Sequence, residues 1–316
     1  MLDSFLCMPQ IKVDTLIKTL RKGKKMTQVE LSEEICSEAE LSRIERGIRK
    51  PSWWIFERLM QRLGEEPTKY YSNIASQEDK RIMDIRTEIK YLLRDKTNTN
   101  EVEAKINQLE HDKAFQDGIH LQFLLQSKAS IAFYREDYEA MYQYATEALK
   151  PTKPKFNENE IDKYVLLFDE IWLIQQIATA HFFISSPEKS TEILLKLKAS
   201  LDRGYFDDEE KVKSYLSILY NITKNLGLLN KIDECIPICD EGITFCKKYR
   251  DSYFLPMFVI NKACCLFSLR KEAEGTKLAK EAFVIFAVYD RFAEISAMKA
   301  FIESQYAVKI PYDTPE

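Results

Sequence analysis

At 316 residues, with 45% apolar and 30% charged side chains, the chain is long and apolar enough for a sizeable core, and its composition excludes general disorder. Eight glycines and ten prolines are roughly half the usual combined share, too few for an all-β or collagen-like chain, so a mostly helical one is expected. The net charge of −4 is unevenly spread: residues 12–62 hold 12 Lys and Arg against 8 Asp and Glu, and the remainder holds 34 against 42. A small basic head on an acidic body is the charge pattern of an attached nucleic-acid-binding module.

Residues 11–63 read as five short helices. Val13, Leu16, Ile17 and Leu20 form one apolar stripe, broken at Gly23. Thr27 is an N-cap with Glu30 three residues on, a capping box opening a helix that buries Leu31 and Ile35. Ser37 caps the next helix, again with an acid, Glu40, three residues later. Leu41 and Ile44 face inward there, leaving Glu38, Ala39, Ser42 and Arg43 outward. Gly47 ends that helix, where a left-handed residue is wanted. Lys50-Pro51-Ser52 starts another, carrying Ile55, Leu59 and Leu63. Trp53 and Trp54 open it, one for the core and the other for the connecting helix or a partner subunit. Two short helices so closely spaced form the unit that lays its second helix in the DNA major groove.

The stretch Met26 to Ser52 resembles the XRE class of bacterial repressors, through Thr27-Gln28, Glu30-Leu31, Ser42-Arg43-Ile44-Glu45-Arg46-Gly47 and Lys50-Pro51-Ser52. That resemblance implies an ion pair between Arg21, near the end of the first helix, and Glu45, after the recognition helix. Chemistry and resemblance together assign Gln28, Arg46, Arg49 and Lys50 to phosphates, and Ser37, Glu38, Glu40 and Arg43 to base edges. Arginine takes guanine O6 and N7, whereas glutamate accepts from cytosine N4. Two acids on one recognition helix sit awkwardly beside a polyanion, so one of them is expected only to be solvated.

From about residue 77 the pattern is continuously helical and weakly repetitive. The clearest unit is 125–151, with Ala129, Ala132, Tyr138, Ala145 and Ala148 where tetratricopeptide repeats place small and aromatic packing residues. Three more units follow, with first-helix small positions at Ala178, Thr223 and Ala263. Their second-helix positions are Ser190; Cys235, Cys239 and Gly242; and Gly275, Ala279 and Ala282. Flanking helices at about 77–112 and 291–306 would complete and cap the array. Two residues before each first-helix small position stand Ser127, Gln176, Asn221 and Asn261, a polar ladder along one face. Amides both donate and accept, which suits the backbone of an extended peptide. Tyr220, Lys224, Phe254, Phe258 and Lys262 flank the ladder as candidate side-chain pockets and carboxylate partners.

A module of this type joined to such repeats resembles the RRNPP peptide-pheromone receptors of Gram-positive bacteria. Ile35-Cys36, Ser37 and Leu41-Ser42-Arg43-Ile44-Glu45 look most like its PlcR-type branch. The segments LYNITKNLG around Asn221 and FVINKACCLF around Asn261 match the repeat positions whose asparagines hold the pheromone backbone in that family. The expected fold is all-α: a helix-turn-helix domain at 1–66, a linker and connecting helix at 67–99, and a right-handed superhelix of tetratricopeptide-like hairpins at 100–316. The repeat domain is expected to bind peptide and to dimerise. The resemblance implies a cytoplasmic homodimer on a palindromic double-stranded DNA operator, controlled by a short imported signalling peptide. Glu38 and Glu40 depart from relatives, so the operator cannot be copied from them.

Other chemistries find little in the sequence. Three histidines, with no HExxH, Walker or GxSxG motif, give no enzyme reading, and neither a cofactor nor a metal is expected. Cys235, Cys239 and Cys246 share a helical face, and their overlap with small packing positions favours core over metal binding. An odd total of seven cysteines suits a reducing compartment rather than a disulfide framework. The longest apolar run, Ala282 to Tyr289, is too short to span a bilayer, and the N-terminus shows no signal-peptide pattern. The alternative reading is a repeat-domain adaptor, or a phage- or plasmid-type repressor, working through protein partners without a peptide.

Overall fold

The capping residues organise the N-terminal module as their chemistry dictates. In a computed structural model that describes residues 13–65, 67–70, 74–202 and 209–312, four helices build it: α1 (Val13–Gly23), α2 (Gln28–Ser32), α3 (Glu38–Glu45) and α4 (Trp53–Arg62). Sequence periodicity suggested five helices here; α2 and α3 are separated by a turn that carries no helix of its own. Thr27 and Glu30 close a reciprocal capping box, and the Ser37 and Ser52 hydroxyls accept from the backbone N–H of Glu40 and Ile55. Gly47 occupies a left-handed position beside another side chain. It adopts φ +70°, and a Cβ there would lie 2.7 Å from the Asp14 carboxylate.

The body follows as α5 (Gln77–Leu92), α6 (Thr99–Leu109), α7 (Gly118–Tyr134), α8 (Tyr138–Leu149), α9 (Phe168–Ile184) and α10 (Pro187–Leu201). Then come α11 (Glu209–Leu228), α12 (Ile232–Tyr249), α13 (Leu255–Ser268), α14 (Glu272–Val288) and α15 (Phe292–Tyr306). No strand occurs among the described residues.

Two compact units divide the chain: Met1–Phe156 with Val165–Leu173 and Tyr205–Asp208, and Asn157–Tyr164 with Ile174–Gly204 and Glu209–Glu316. The first unit runs well beyond the boundary expected at residue 66. Its core is continuous from Ile17, Leu31, Leu41 and Ile44 of the module, through Ile82 and Ile89 of α5, to Phe123 and Ile131 of α7. The reason is size. Helices of five and eight residues bury too little apolar surface to be stable alone, and α5 and α7 supply the missing cover. Trp53 is fully buried, while Trp54 packs on the connecting helix, with the Arg86 guanidinium 5.0 Å above its ring.

Repetition shows in the turns as well as in the small residues. Helices α7, α11, α13 and α14 each end two residues before a left-handed residue, and the next helix starts two residues after it. Those residues are Glu136, Asn230, Arg270 and Asp290, with φ between 55° and 61°. In each turn the same backbone bond, 2.9 Å long, closes the helix end: Asp137 to Ala132, Lys231 to Leu226, Lys271 to Leu266 and Arg291 to Phe286. This is the helix-terminating loop of the Schellman kind, built here without glycine.

All the expected small positions are buried: Ala129, Ala178, Thr223 and Ala263 on first helices, and Ser190, Cys235, Cys239, Gly242, Gly275, Ala279 and Ala282 on second helices. A Cβ on Gly242 would lie 2.6 Å from the Phe258 ring, which is itself fully buried and has nowhere to go. Helix propensity favours Ala over Gly by about 1 kcal/mol, whereas overpacking a core costs about 1–3 kcal/mol. Gly242→Ala is therefore expected to destabilise the protein, while Gly227→Ala, which meets nothing within 4 Å, is expected to stabilise it. Chemical denaturation of the two variants checks this, and equal shifts of one sign would contradict the packing account.

Candidate functional site

The recognition helix is braced from behind. Arg21 donates to both Glu45 carboxylate oxygens, at 2.6 and 2.8 Å, and to the Met26 carbonyl at 2.8 Å. Gln28 adds a third bond to Glu45, Nε2 to Oε2 at 2.7 Å. Burial opposes the Glu45 carboxylate, but the Arg21 and Gln28 bonds outweigh it and hold the group below the usual carboxylate range. The pair implied by the sequence is present, and Gln28, expected on phosphate, is engaged with it. Its amide keeps one N–H and the carbonyl for other partners.

The outward face carries the remaining candidates. Ser37, Glu38, Arg43, Arg46, Arg49 and Lys50 are exposed, and Glu40 is half-buried. Ser37 already accepts from the Glu40 backbone, so its hydroxyl has only its proton to offer. Glu40 pairs with Arg49 at 3.2 Å, which identifies the acid that is neutralised rather than aimed outward. Such a surface pair is worth about 0–1 kcal/mol and opens cheaply when a phosphate claims the arginine. Arg46 is drawn back toward the Ser42 carbonyl at 3.2 Å. Arg43 and Glu38 are exposed, with no side-chain partner among the described residues. Sequence reasoning passed over Ile48, 66% exposed in the same turn as Arg46 and Arg49. An apolar side chain there has the chemistry to meet a thymine methyl or a sugar.

The second set of candidates lies in the second unit. Asn221 and Tyr220 on α11 and Asn261 and Lys262 on α13 are half-buried, and Lys224 is exposed. Asn261 donates through Nδ2 to Thr223 Oγ1 at 2.8 Å, and the Thr223 hydroxyl donates on to the Tyr220 carbonyl at 2.8 Å. The Asn261 amide is thus pre-oriented, while Asn221 has no hydrogen-bond partner among the described residues. Tyr220 stacks obliquely on Phe254 at 6.0 Å and meets Phe258 edge-on at 6.4 Å.

Four expectations shift in detail. Phe258 is wholly buried and forms the floor beneath Tyr220 and Phe254 rather than a surface. Lys262 is ion-paired with Asp240 of α12. Gln176 is 6% exposed, so it stands back from solvent, and Ser127 of the supposed ladder bonds its own helix, to the Phe123 carbonyl at 2.9 Å. Asn225, which the sequence gave no reason to single out, is buried and ties α11 to α10 through the Ser190 hydroxyl at 3.0 Å.

Cys235 and Cys239 place their sulfurs 4.0 Å apart, and the Cys235 thiol reaches the Thr223 carbonyl. Burial pushes the neighbouring Cys246 thiol up to about 12. No three His, Cys, Asp or Glu are placed to hold a metal ion, and no helix is long and apolar enough to cross a membrane, among the described residues.

Residues 17–69 match a family model described as helix-turn-helix. No curated protein matches the chain. Among solved structures, the chain is similar to PlcR of Bacillus thuringiensis in complex with the peptide PapR7 and DNA, at 20% identity and a TM-score of 0.56, over 91% of this chain and 98% of that one. It is similar to ComR of S. thermophilus in complex with DNA and its signalling peptide ComS, at 17% identity and a TM-score of 0.50, over 92% and 99%. A third likeness is to the SHP pheromone receptor Rgg2 of Streptococcus dysgalactiae, at 14% identity and a TM-score of 0.51, over 93% and 99%. The chain has the fold of these proteins, a helix-turn-helix followed by helical repeats, over nearly its whole length.

The brace yields a pH-dependent expectation. Glu45 is held ionised below its ordinary pKa, so the pair contributes stability above roughly pH 4.3 and loses it as pH falls through the lowered value. Arg21→Met strands a buried carboxylate and is expected to cost about 3–5 kcal/mol at neutral pH. Denaturant titrations should show the gap to wild type closing on acidification; a gap that stays constant would contradict the brace.

Proposed function

We propose that this protein is a transcriptional regulator that binds operator DNA through α3 and the turn after it, as a homodimer, and that a short signalling peptide bound in the second unit sets its DNA affinity. The observation that carries the reading is a recognition helix braced internally by Arg21 and Glu45 while Arg43, Arg46, Arg49 and Lys50 stand exposed around it. A rigid helix with a basic rim is what groove reading requires, since phosphate contacts set position and base contacts set sequence. What PlcR and ComR are described as binding, DNA and a peptide, is what these two sets of side chains have the chemistry for. The protein is read as a binding protein rather than an enzyme, acting in the cytoplasm where its DNA lies.

In the second unit the reading assigns Asn221 and the pre-oriented Asn261 to the peptide backbone. Tyr220, over the Phe254 and Phe258 floor, takes a side chain, and Lys224 takes a carboxylate. Gln176 and Lys262 act only after rearranging, given their burial and ion pair.

The test is fluorescence anisotropy of the full chain on DNA from upstream of its own gene. Dimeric modules read half-sites roughly 34 Å or a multiple apart, so a palindromic site is expected, with affinity falling by orders of magnitude from low to physiological salt. Arg43→Ala should relax base preference by about 1–3 kcal/mol at one position per half-site, whereas Lys50→Ala should weaken all sequences alike. Salt-insensitive binding, or none, would overturn the DNA reading and leave the protein-partner alternative. Asn221→Ala is the clean probe of the peptide site, because its side chain has no hydrogen-bond partner among the described residues. It is expected to weaken peptide binding by about tenfold with unchanged melting, while Asn261→Ala also loses its Thr223 bond, worth about 0.5–1.5 kcal/mol of stability. Calorimetry that finds Asn221→Ala equal to wild type would move the site elsewhere.

A further inference from the structure

The turn of the helix-turn-helix is held from outside the module. Glu34, between α2 and α3, adopts a left-handed backbone at φ 56°. Its carboxylate is ion-paired with Lys153, which lies 119 residues further along the chain, in the segment that leaves α8. Lys153 is 1% exposed, donates to the Glu34 carboxylate and to the Val165 carbonyl at 3.1 Å, and is ion-paired with Glu170 Oε2 at 3.3 Å. Glu170, in the first turn of α9, receives Arg58 of α4 on its other oxygen at 3.0 Å and accepts from the Leu167 backbone at 2.9 Å. On the module side, Arg62 of α4 donates to the Glu30 and Glu33 carbonyls at the end of α2. Arg58, Glu170, Lys153 and Glu34 therefore form a run of ion pairs, with the Arg62 cation beside it, that joins α4 and the turn of the module to the body segment around 150–170.

This cluster is poorly explained as a source of stability. Burying a lysine and a carboxylate is costly, and apolar residues of similar volume serve a core at least as well. What an ion pair supplies that a methionine does not is direction: it fixes where the turn carboxylate, and so the start of α3, must lie. The geometry points to Lys153 as a positioning residue for the recognition helix, the contact through which the helical body sets the α2–α3 turn. The inference rests on the DNA-binding reading for its consequence, but its structural core can be read independently of DNA.

The experiment uses the full chain and three variants: Lys153→Met, which keeps length without charge; Glu34→Gln, which acts at the exposed end and leaves Glu170 paired; and the double variant. Hydrogen exchange of the segment 33–41 and anisotropy on operator DNA are measured for each, with melting as the control. Both single variants are expected to exchange faster in 33–41 and to bind operator about tenfold more weakly, with melting near wild type for Glu34→Gln. The double variant should be no worse than Lys153→Met alone, since the two remove one interaction. Unchanged exchange in Glu34→Gln, or losses that add in the double variant, would overturn the inference. If wild type binds no upstream DNA while exchange still accelerates, the DNA reading fails and the hold on the turn stands.

Discussion

The bidentate bond between Arg21 and Glu45 is the constraint on which the N-terminal half depends. One guanidinium ties the end of α1 to the end of α3 and, through the Met26 carbonyl, to the entry of α2. Three helices of eleven, five and eight residues cannot hold a fixed mutual angle by apolar contact alone. A planar fork meeting a carboxylate in two places does so, because it resists rotation as well as separation. The outer face of α3 is thereby left with nothing to do for the fold. That is why Arg43 and Glu38 can be exposed, and unpaired among the described residues, at no cost, the condition a surface needs if it is to meet a ligand.

In the body the governing constraint is different. Consecutive helices approach closely where small side chains permit it: the Cys235 thiol reaches the Thr223 carbonyl, and a Cβ on Gly275 would lie 2.6 Å from the Phe267 ring. The cysteines belong to this set: Cys235 and Cys239 are small residues with their sulfurs 4.0 Å apart, and the Cys235 thiol donates weakly to the Thr223 carbonyl of α11. Asn261 and Thr223 lie on the same seam, so the amide that is assigned to a peptide backbone is also part of how α13 sits on α11. Helix α9 supplies Asp169 and Glu170 to the first unit and Gln176 to the second, so a single helix carries side chains of both candidate machineries.

Much of this was legible in the sequence because it is local. Caps at Thr27, Ser37 and Ser52 act within three residues, and the small positions recur at fixed spacing, so pattern alone located the module and the repeats. The turns at Glu136, Asn230, Arg270 and Asp290 were not legible, since a left-handed residue is read from glycine and none of these is glycine. Nor was the Glu40–Arg49 pair, which needs the chain to turn back at Gly47. Least visible were the buried charges. Asp169-Glu170 reads as an ordinary acidic first turn, and Lys153 as one cation in a polar loop. Their partners Arg86, Arg58 and Glu34 lie 83 to 119 residues away, and no local spacing reports a bond of that range. Phe258 was read as a pocket side chain because its neighbours suggested one; its burial follows from the missing Cβ of Gly242, on a different helix.

Two sites that control one another must do so reciprocally, because the coupling is a free energy shared by both binding equilibria. The most direct measurement is calorimetry with synthetic peptides tiled along any short reading frame beside the gene that carries a secretion signal, titrated into the protein with and without its operator duplex, alongside operator binding with and without the same peptide. The expected result is that the factor by which operator changes peptide affinity equals the factor by which peptide changes operator affinity, and that it differs from one. A peptide that binds with the same affinity whether or not the operator is present would contradict the central claim that the peptide controls DNA binding.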